Sequence, residues 1–396
     1  MAKAGGALPS WFWPNGVPRR APVSQQPLAR QFVRLFKPAG AAPALISPKR
    51  TYTYGELDTL TGPLAAPLVA AIGGPGNIAV CDRDPATAFS LVLLAWAAGR
   101  AALLLDPADS PARLAEIARR GNCPFVLTDE DPGNAKDLPL IRRSALEVPK
   151  GVAKPVTPPK VTDPALLLPD EKGILAQSHY AISGMATSIS VFVPELKDMP
   201  YVALAPQRMW ENWAPIVANL LNVKPVFFGD FNAATPPAQE QANAYTVLTR
   251  EQAEQIVANG TCPPALTGVK HVFISCGVFS ERWRVKLERI LRRPALLLWG
   301  NQEVGPAIGA HPTWAPSQSH GFPLVNVTLF PIETSKGDVS IVPWEMLDRA
   351  EIGVEPPAPP LGYLPEDPNE KLPPCPKILR THQVATVDNV GVITLV

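Results

Sequence analysis

The sequence predicts an α/β fold, with mostly parallel sheets covered by helices and divided among more than one packed unit. Three observations predict it. Short apolar runs alternate with longer segments whose apolar residues recur at helical spacing, the pattern of parallel strands joined through helices. The chain has 396 residues, more than the ~250–300 that one hydrophobic core usually serves. Its 48 prolines are far above the usual ~5%. They cluster at Pro9–Pro48, Pro155–Pro169 and Pro356–Pro376, where extended or turn conformations with few internal hydrogen bonds would separate the units.

The elements follow in order. Tyr54 to Ile72 has a helical apolar stripe, and a short strand begins within Asn77 to Cys81. Ala86 to Ala98 reads as a helix, Ala101 to Leu105 as a strand, Pro111 to Arg119 as a helix and Phe125 to Leu127 as a strand. After the second proline cluster, Ala165 to Leu168 reads as a strand that leads through a tight turn into a helix beginning at Ile174. Tyr201 to Ala205, Pro225 to Phe228, Val272 to Ser275 and Ala295 to Leu298 read as strands. The helices between them are Arg208 to Leu220, Arg250 to Ala258 and Ser280 to Leu291. No internal repeat is visible.

Composition narrows the function classes. A net charge of +1 and a pI near 7.6 leave no overall electrostatic footprint for nucleic acid or an anionic membrane. The most apolar stretch, Phe89 to Leu105, is broken by Arg100 and is shorter than the ~20 residues of a membrane span. Met1 to Leu8 carries no apolar signal-peptide core. Cys81, Cys123, Cys262, Cys276 and Cys375 have no C-x-x-C spacing, so buried thiols in a reducing cytoplasm are expected rather than disulfides or a metal site.

The most informative segment runs from Leu166 through Pro169-Asp170-Glu171-Lys172-Gly173 to Ser178-His179. A strand, a Gly/Ser/Thr-rich loop and a Lys-Gly pair form a common phosphate grip, because glycines let successive backbone N–H groups point inward. Here the strand and the Lys-Gly pair stand without the glycines and hydroxyls. Pro169 has no N–H, and Asp170 and Glu171 bring negative charge.

The flanking motifs resemble the adenylate-forming superfamily of acyl- and aryl-CoA synthetases, luciferases and nonribosomal peptide synthetase adenylation domains. Thr51 to Asp58 resembles its T-Y-x-E-L entry, and Trp96 to Pro107 its L-K-A-G-A-x-x-V-P-L-D-P. Ser110 to Leu114 and Val126 to Asp129 resemble P-x-x-R-L and L-x-T-D. Leu298 to Glu303 resembles Y-G-x-T-E, and Gly321 to Val327 resembles G-x-P-L-P-N-V. Leu379 to Gln383, with Asp388 to Ile393, resembles W-x-x-T-G-D followed by D-x-D-G-x-L. Order and spacing over Thr51 to Val396 carry the resemblance.

The resemblance implies the family's large N-terminal domain, with two packed α/β subdomains and a small β-barrel-like unit. The expected division is a Pro-rich arm at 1–48, a first α/β subdomain at 49–150, a linker at 151–164, a second α/β subdomain at 165–330 and the β unit, with its Pro-rich insertion, at 331–396. The family's C-terminal lid, which carries a catalytic Lys, is expected to be absent. Active members use ATP and Mg²⁺. Lys172, Gly173, Gly300, Gln302, Glu303, Thr381 and Gln383 match their nucleotide-site positions. Glu303 matches a magnesium-binding Glu, Gln302 stands for a Thr, and Gln383 stands for the Asp that holds the ribose. Gln cannot give a carboxylate's charge-assisted bidentate acceptance. No catalytic residue, cofactor or metal site is therefore expected.

Each residue also has a plainer reading. Lys172 suits a surface turn, and Glu303 suits a helix N-terminus. His179, Trp210, Trp213, Cys276 and Trp299 fit either a packed core or an acyl or aryl pocket. Cys276 has no neighbour placed to activate it. Trp11, Phe12 and Trp13 are candidate anchors for a partner, or pack on their own surface. The leading expectation is a catalytically inactive relative that binds a protein partner or joins a larger assembly. The alternatives are a carboxylate-adenylating ligase completed by a separate subdomain, and an acyl- or aryl-binding sensor that does not use ATP.

Overall fold

The computed structural model describes residues 17–130, 133, 135, 138–147, 156–233, 243–312, 319–335, 338–342, 349–367, 370–388 and 391–396. Trp11, Phe12 and Trp13 lie outside the described residues.

The arm expected to be extended contains a helix, α1 (Leu28–Ala39), which follows Pro27 and has Pro38 in its last turn. No proline interrupts the first turns, and Leu28, Phe32 and Phe36 lie four apart and are buried. β1 (Pro43–Ile46) and β2 (Thr51–Thr53) pair antiparallel. Thr53 caps α2 (Tyr54–Ile72): its hydroxyl accepts from the Glu56 N–H while Glu56 reaches back to the Thr53 N–H at 2.7 Å. Next come β3 (Ile78–Val80), α3 (Pro85–Ala97), β4 (Ala102–Leu104), α4 (Pro111–Arg120), β5 (Val126–Thr128) and β6 (Leu140–Arg142). Asp84 caps α3, Ser110 caps α4, and a proline follows each at the first helical position.

β7 (Pro164–Pro169) turns back into β8 (Ile174–Ser178), and α5 (His179–Phe192) begins only after Ser178. The helix expected from Ile174 is therefore a strand for its first five residues. A run buried on both faces looks the same as strand or helix in sequence, and pairing with β7 decides it. The chain continues through β9 (Tyr201–Ala203), α6 (Trp210–Leu221), β10 (Val226–Phe228), β11 (Ala244–Thr249), α7 (Arg250–Asn259), β12 (Val269–Ser275), α8 (Glu281–Leu291), β13 (Ala295–Asn301), β14 (Gly305–Gly309) and β15 (Phe322–Pro323). It closes with β16 (Thr328–Ser335), β17 (Asp338–Ile341), β18 (Ala350–Glu355), β19 (Gly362–Tyr363), β20 (Leu379–Val387) and β21 (Ile393–Leu395).

Three sheets result. The nine-stranded sheet has the order β15-β14-β13-β12-β11-β9-β10-β1-β2, parallel from β13 to β1 and antiparallel at both edges. The seven-stranded sheet is ordered β19-β8-β7-β4-β3-β5-β6. The five-stranded sheet, β17-β16-β18-β20-β21, is antiparallel. The expected units do not map one to one onto these sheets. Residues 164–178 complete the sheet begun by β3, and residues 43–53 join the strands of the second half.

One continuous core links the two large sheets. α3 touches β3, β4 and β5 on one side and β1 on the other, and α5 touches β7 and β8 as well as β14. Trp96 stands in this core: its indole donates to the Ala165 carbonyl at 2.7 Å, and its ring meets Phe32, Phe89 and His179. A smaller cluster, including Ala79, Cys81, Leu114 and Leu167, covers the opposite face of the seven-stranded sheet.

Candidate functional site

The turn between β7 and β8 closes on itself. The Asp170 N–H donates to the Gly173 carbonyl at 2.8 Å. Asp170 Oδ1 accepts from the backbone N–H groups of Lys172 at 2.7 Å and Gly173 at 3.0 Å. These are the donors a phosphate grip would aim at a ligand, and a carboxylate of the same chain already occupies them. Gly173 has φ 148°, a backbone conformation that disfavours a side chain.

The other carboxylate of the site comes from beyond β13. Asn301 Oδ1 accepts from the N–H groups of Glu303 and Val304, which fixes the turn. Gly300 lets this turn fold tightly, since a Cβ there would meet the Gly305 carbonyl. Glu303 Oε1 then meets Lys172 Nζ at 2.6 Å, a pair in which Glu303 is 17% exposed and Lys172 68%.

Tyr363 joins the two halves. Its strand β19 leaves the Pro-rich insertion and pairs antiparallel with β8, setting Gly362 opposite Ala176 and Tyr363 opposite Leu175. The Leu361 and Leu364 N–H groups donate to the Ala176 and Ile174 carbonyls. The Tyr363 hydroxyl reaches Asp170 Oδ2 at 2.7 Å and Glu303 Oε1 at 3.1 Å. Burial first, then these two carboxylates, push the phenol well above its ordinary pKa, so it stays protonated as the donor. The insertion also packs Pro357 against Gly184 of α5. Lys172, Gly173, Gly300 and Glu303 are thus brought together, and Asp170 and Tyr363 complete the group.

Gln302 turns away from it. Its amide donates to the Arg208 carbonyl at 2.6 Å, and its Oε1 is buried without a partner. Gln177, on β8, donates to the Gln302 carbonyl at 2.8 Å, and its own Oε1 is likewise unpartnered. Thr381 and Gln383 lie near the end of β12 rather than at the turn. The Thr381 hydroxyl donates to the Ile352 carbonyl at 2.6 Å and accepts from the Gln383 N–H. The Gln383 side chain lies against Gly277. Between them His382 holds φ 57°, a left-handed conformation more usual for glycine.

The candidate pocket residues are all buried. His179 has both ring nitrogens unpartnered and its pKa lowered to about 4 by burial. Trp213 Nε1 is also unpartnered, while Trp210 is packed. Trp299 is buried on β13. Burial pushes the Cys276 thiol up to about 12, so it is no poised nucleophile. His320 lies nearby, with Nε2 against the Gly277 carbonyl and Nδ1 accepting from the Leu395 N–H. The sequence reading missed Glu211. It is buried on α6, Ser275 donates to its Oε1 at 2.7 Å, its Oε2 is unpartnered, and burial raises its pKa to about 7. The one charged residue in a helix otherwise built of apolar residues and two asparagines was the available signal. Tyr363 and Gln177 carried none, because their roles depend on strand pairing. Among the described residues no group of three or more His, Cys, Asp or Glu is placed to hold a metal, and no helix is long and apolar enough to cross a membrane.

No protein-family model matches the chain, and no curated protein matches it in sequence. Solved structures match it in fold. The o-succinylbenzoate CoA synthetase of Bacillus subtilis superposes with a TM-score of 0.73 at 16% identity, over 94% of this chain and 78% of that one. The nonribosomal peptide synthetase FmoA3 gives 0.77 at 18% identity, over 97% of this chain but only 46% of its own. The chain has the adenylate-forming fold. A third neighbour, PA1221, a peptide synthetase protein with adenylation and carrier domains, gives 0.74 at 17% identity over 94% and 79%. The synthetase is known in complex with AMP and with an acyl-adenylate. In this chain's version of the fold, Asp170 takes the N–H groups of Lys172 and Gly173 in the β7–β8 turn, Glu303 pairs with Lys172, and Tyr363 bonds both carboxylates.

Proposed function

We propose that this chain is a catalytically inactive variant of the adenylate-forming fold that works by binding a protein partner or as a subunit of a larger assembly. One observation carries the reading: Asp170, Lys172, Glu303 and Tyr363 are bonded to one another, so the Lys172 and Gly173 N–H groups and the Lys172 ammonium already have carboxylate partners. Adenylation builds charge on phosphate oxygens and needs aimed donors to hold it. Gln383 in place of a ribose-binding carboxylate supports the same reading. The free cysteines fit a cytoplasmic setting.

A second reading has a specific observation behind it. His179, Trp213 and Gln177 leave buried polar atoms unpartnered, and such groups call for a water or a ligand. An acyl or aryl compound bound without ATP would meet that need. Calorimetric titration with ATP and Mg²⁺, together with pyrophosphate exchange across a panel of carboxylic acids, decides the matter. We expect neither binding nor exchange. Micromolar ATP binding with exchange would make the chain a carboxylate-adenylating ligase instead.

A further inference from the structure

Helix α8 presents a second surface that the nucleotide-site residues do not use. Between Glu281 and Arg293 the chain carries six cations and two acids, a local net charge of +4 in a molecule whose total is +1. The two acids are both paired with one arginine. Arg284, only 9% exposed, binds Glu281 at 2.8 Å and Glu288 at 3.0 Å from the inner side. Arg282, Lys286 and Arg289 are exposed, lie along one face of the helix and have no ion pair among the described residues. Arg292 and Arg293 extend this charge past the C-terminus, where a helix favours cations. Within the same face, Val285 is 43% exposed.

At its N-terminal end the face runs into a cleft of about 380 Å³ lined by Arg250, Cys276, Val278, Phe279, Ser280 and Trp283. Val278 is 46% exposed at its rim. Glu254, the acid at this edge, is held by Arg250 at 2.7 Å. Free cations beside a cleft that has Val278, Phe279 and Trp283 in its lining are complemented by negative charges in a row with one bulky apolar group ahead of them.

We propose that the outer face of α8 and this cleft form a docking surface for an acidic helix of a partner protein, its Asp or Glu residues along Arg282, Lys286 and Arg289 and one apolar side chain in the cleft. The cations span about 10 Å along the helix, a footprint matched by two to three turns of a facing helix. A recessed cleft suits an inserted side chain better than a flat lipid surface or a duplex. The inference names a surface for the partner-binding reading above but shares no residue with the Lys172–Glu303–Tyr363 group. Nucleotide turnover would therefore overturn that reading and leave this surface standing, and the reverse also holds.

The probe is a fluorescein-labelled synthetic helix with Glu along one face and a single leading Leu, titrated with the whole chain. Expected is saturable binding that weakens about tenfold or more when Arg282→Glu, Lys286→Glu and Arg289→Glu are combined, and again as salt rises. The same loss is expected when the probe's Leu is replaced by Ser. Val278→Asp, an exposed change at the cleft rim, is expected to weaken binding while the thermal midpoint stays unchanged. No binding of the probe, or binding indifferent to the triple substitution, overturns the proposal. So does equal, substitution-sensitive binding of phosphatidylserine vesicles or duplex DNA, which would make the face a general anion surface.

Discussion

Glu211, His179 and His320 are buried away from water, and the fold takes up or refuses protons at each. Burial lowers both histidines to about 4 from 6.5 and raises Glu211 to about 7 from 4.5. Below pH 6.5 the unfolded chain protonates two histidines that the fold keeps neutral, so stability falls as pH drops toward about 4. Glu211 acts oppositely: the fold keeps its proton where the unfolded chain has lost it, so its contribution falls as pH rises from about 4.5 to about 7. Within that shared window these three groups together take up two protons on unfolding and release one. Each net proton is worth about 1.4 kcal/mol per pH unit. Glu211→Gln removes the opposing acid, so the slope of unfolding free energy between pH 5 and 6 should steepen by ~1.4 kcal/mol per pH unit. Urea titrations across that range measure it. An unchanged slope would mean that Glu211 is ionised in the fold. At this scale the sequence was legible in part. Lys172 and Glu303 were singled out and do meet, and Asp170 was noted for its charge, but Tyr363, which bonds both carboxylates, emerges only when β19 pairs with β8.

Among the elements, those with local signals were readable. Thr53, Asp84 and Ser110 are side-chain caps written in the sequence, and α2, α3 and α4 begin where they stand. β8 was not readable, because five buried residues preceding a helix carry no distinguishing period. β19 is two residues long and defined wholly by a partner far away in sequence. That makes it the element most open to a single substitution. Gly362 holds φ 118°, so Gly362→Val should strain the strand by ~1–3 kcal/mol. Faster amide exchange at Leu361 and Leu364, which donate to β8, is the expected readout. Unchanged protection there would show that β19 accommodates the side chain and keeps its pairing with β8.

The whole molecule depends on helices shared between sheets, and this the sequence did not disclose, since periodicity marks a buried face without naming what covers it. Trp96→Ala tests the sharing. Its cavity should cost about 3–5 kcal/mol. Because α3 touches both large sheets, amides in β3 and in β10 should lose protection together. Loss in the seven-stranded sheet alone would mean that the two unfold separately. The pairing of β19 with β8 has a further consequence, which concerns synthesis. β8 ends at Ser178 and β19 begins at Gly362, so a ribosome making ~5–20 residues per second needs roughly 10–40 s to pass from one to the other. Throughout that interval the nascent chain carries β8 as an uncovered sheet edge, ready to pair with a neighbouring chain, and a chaperone has its clearest reason to attend to it then.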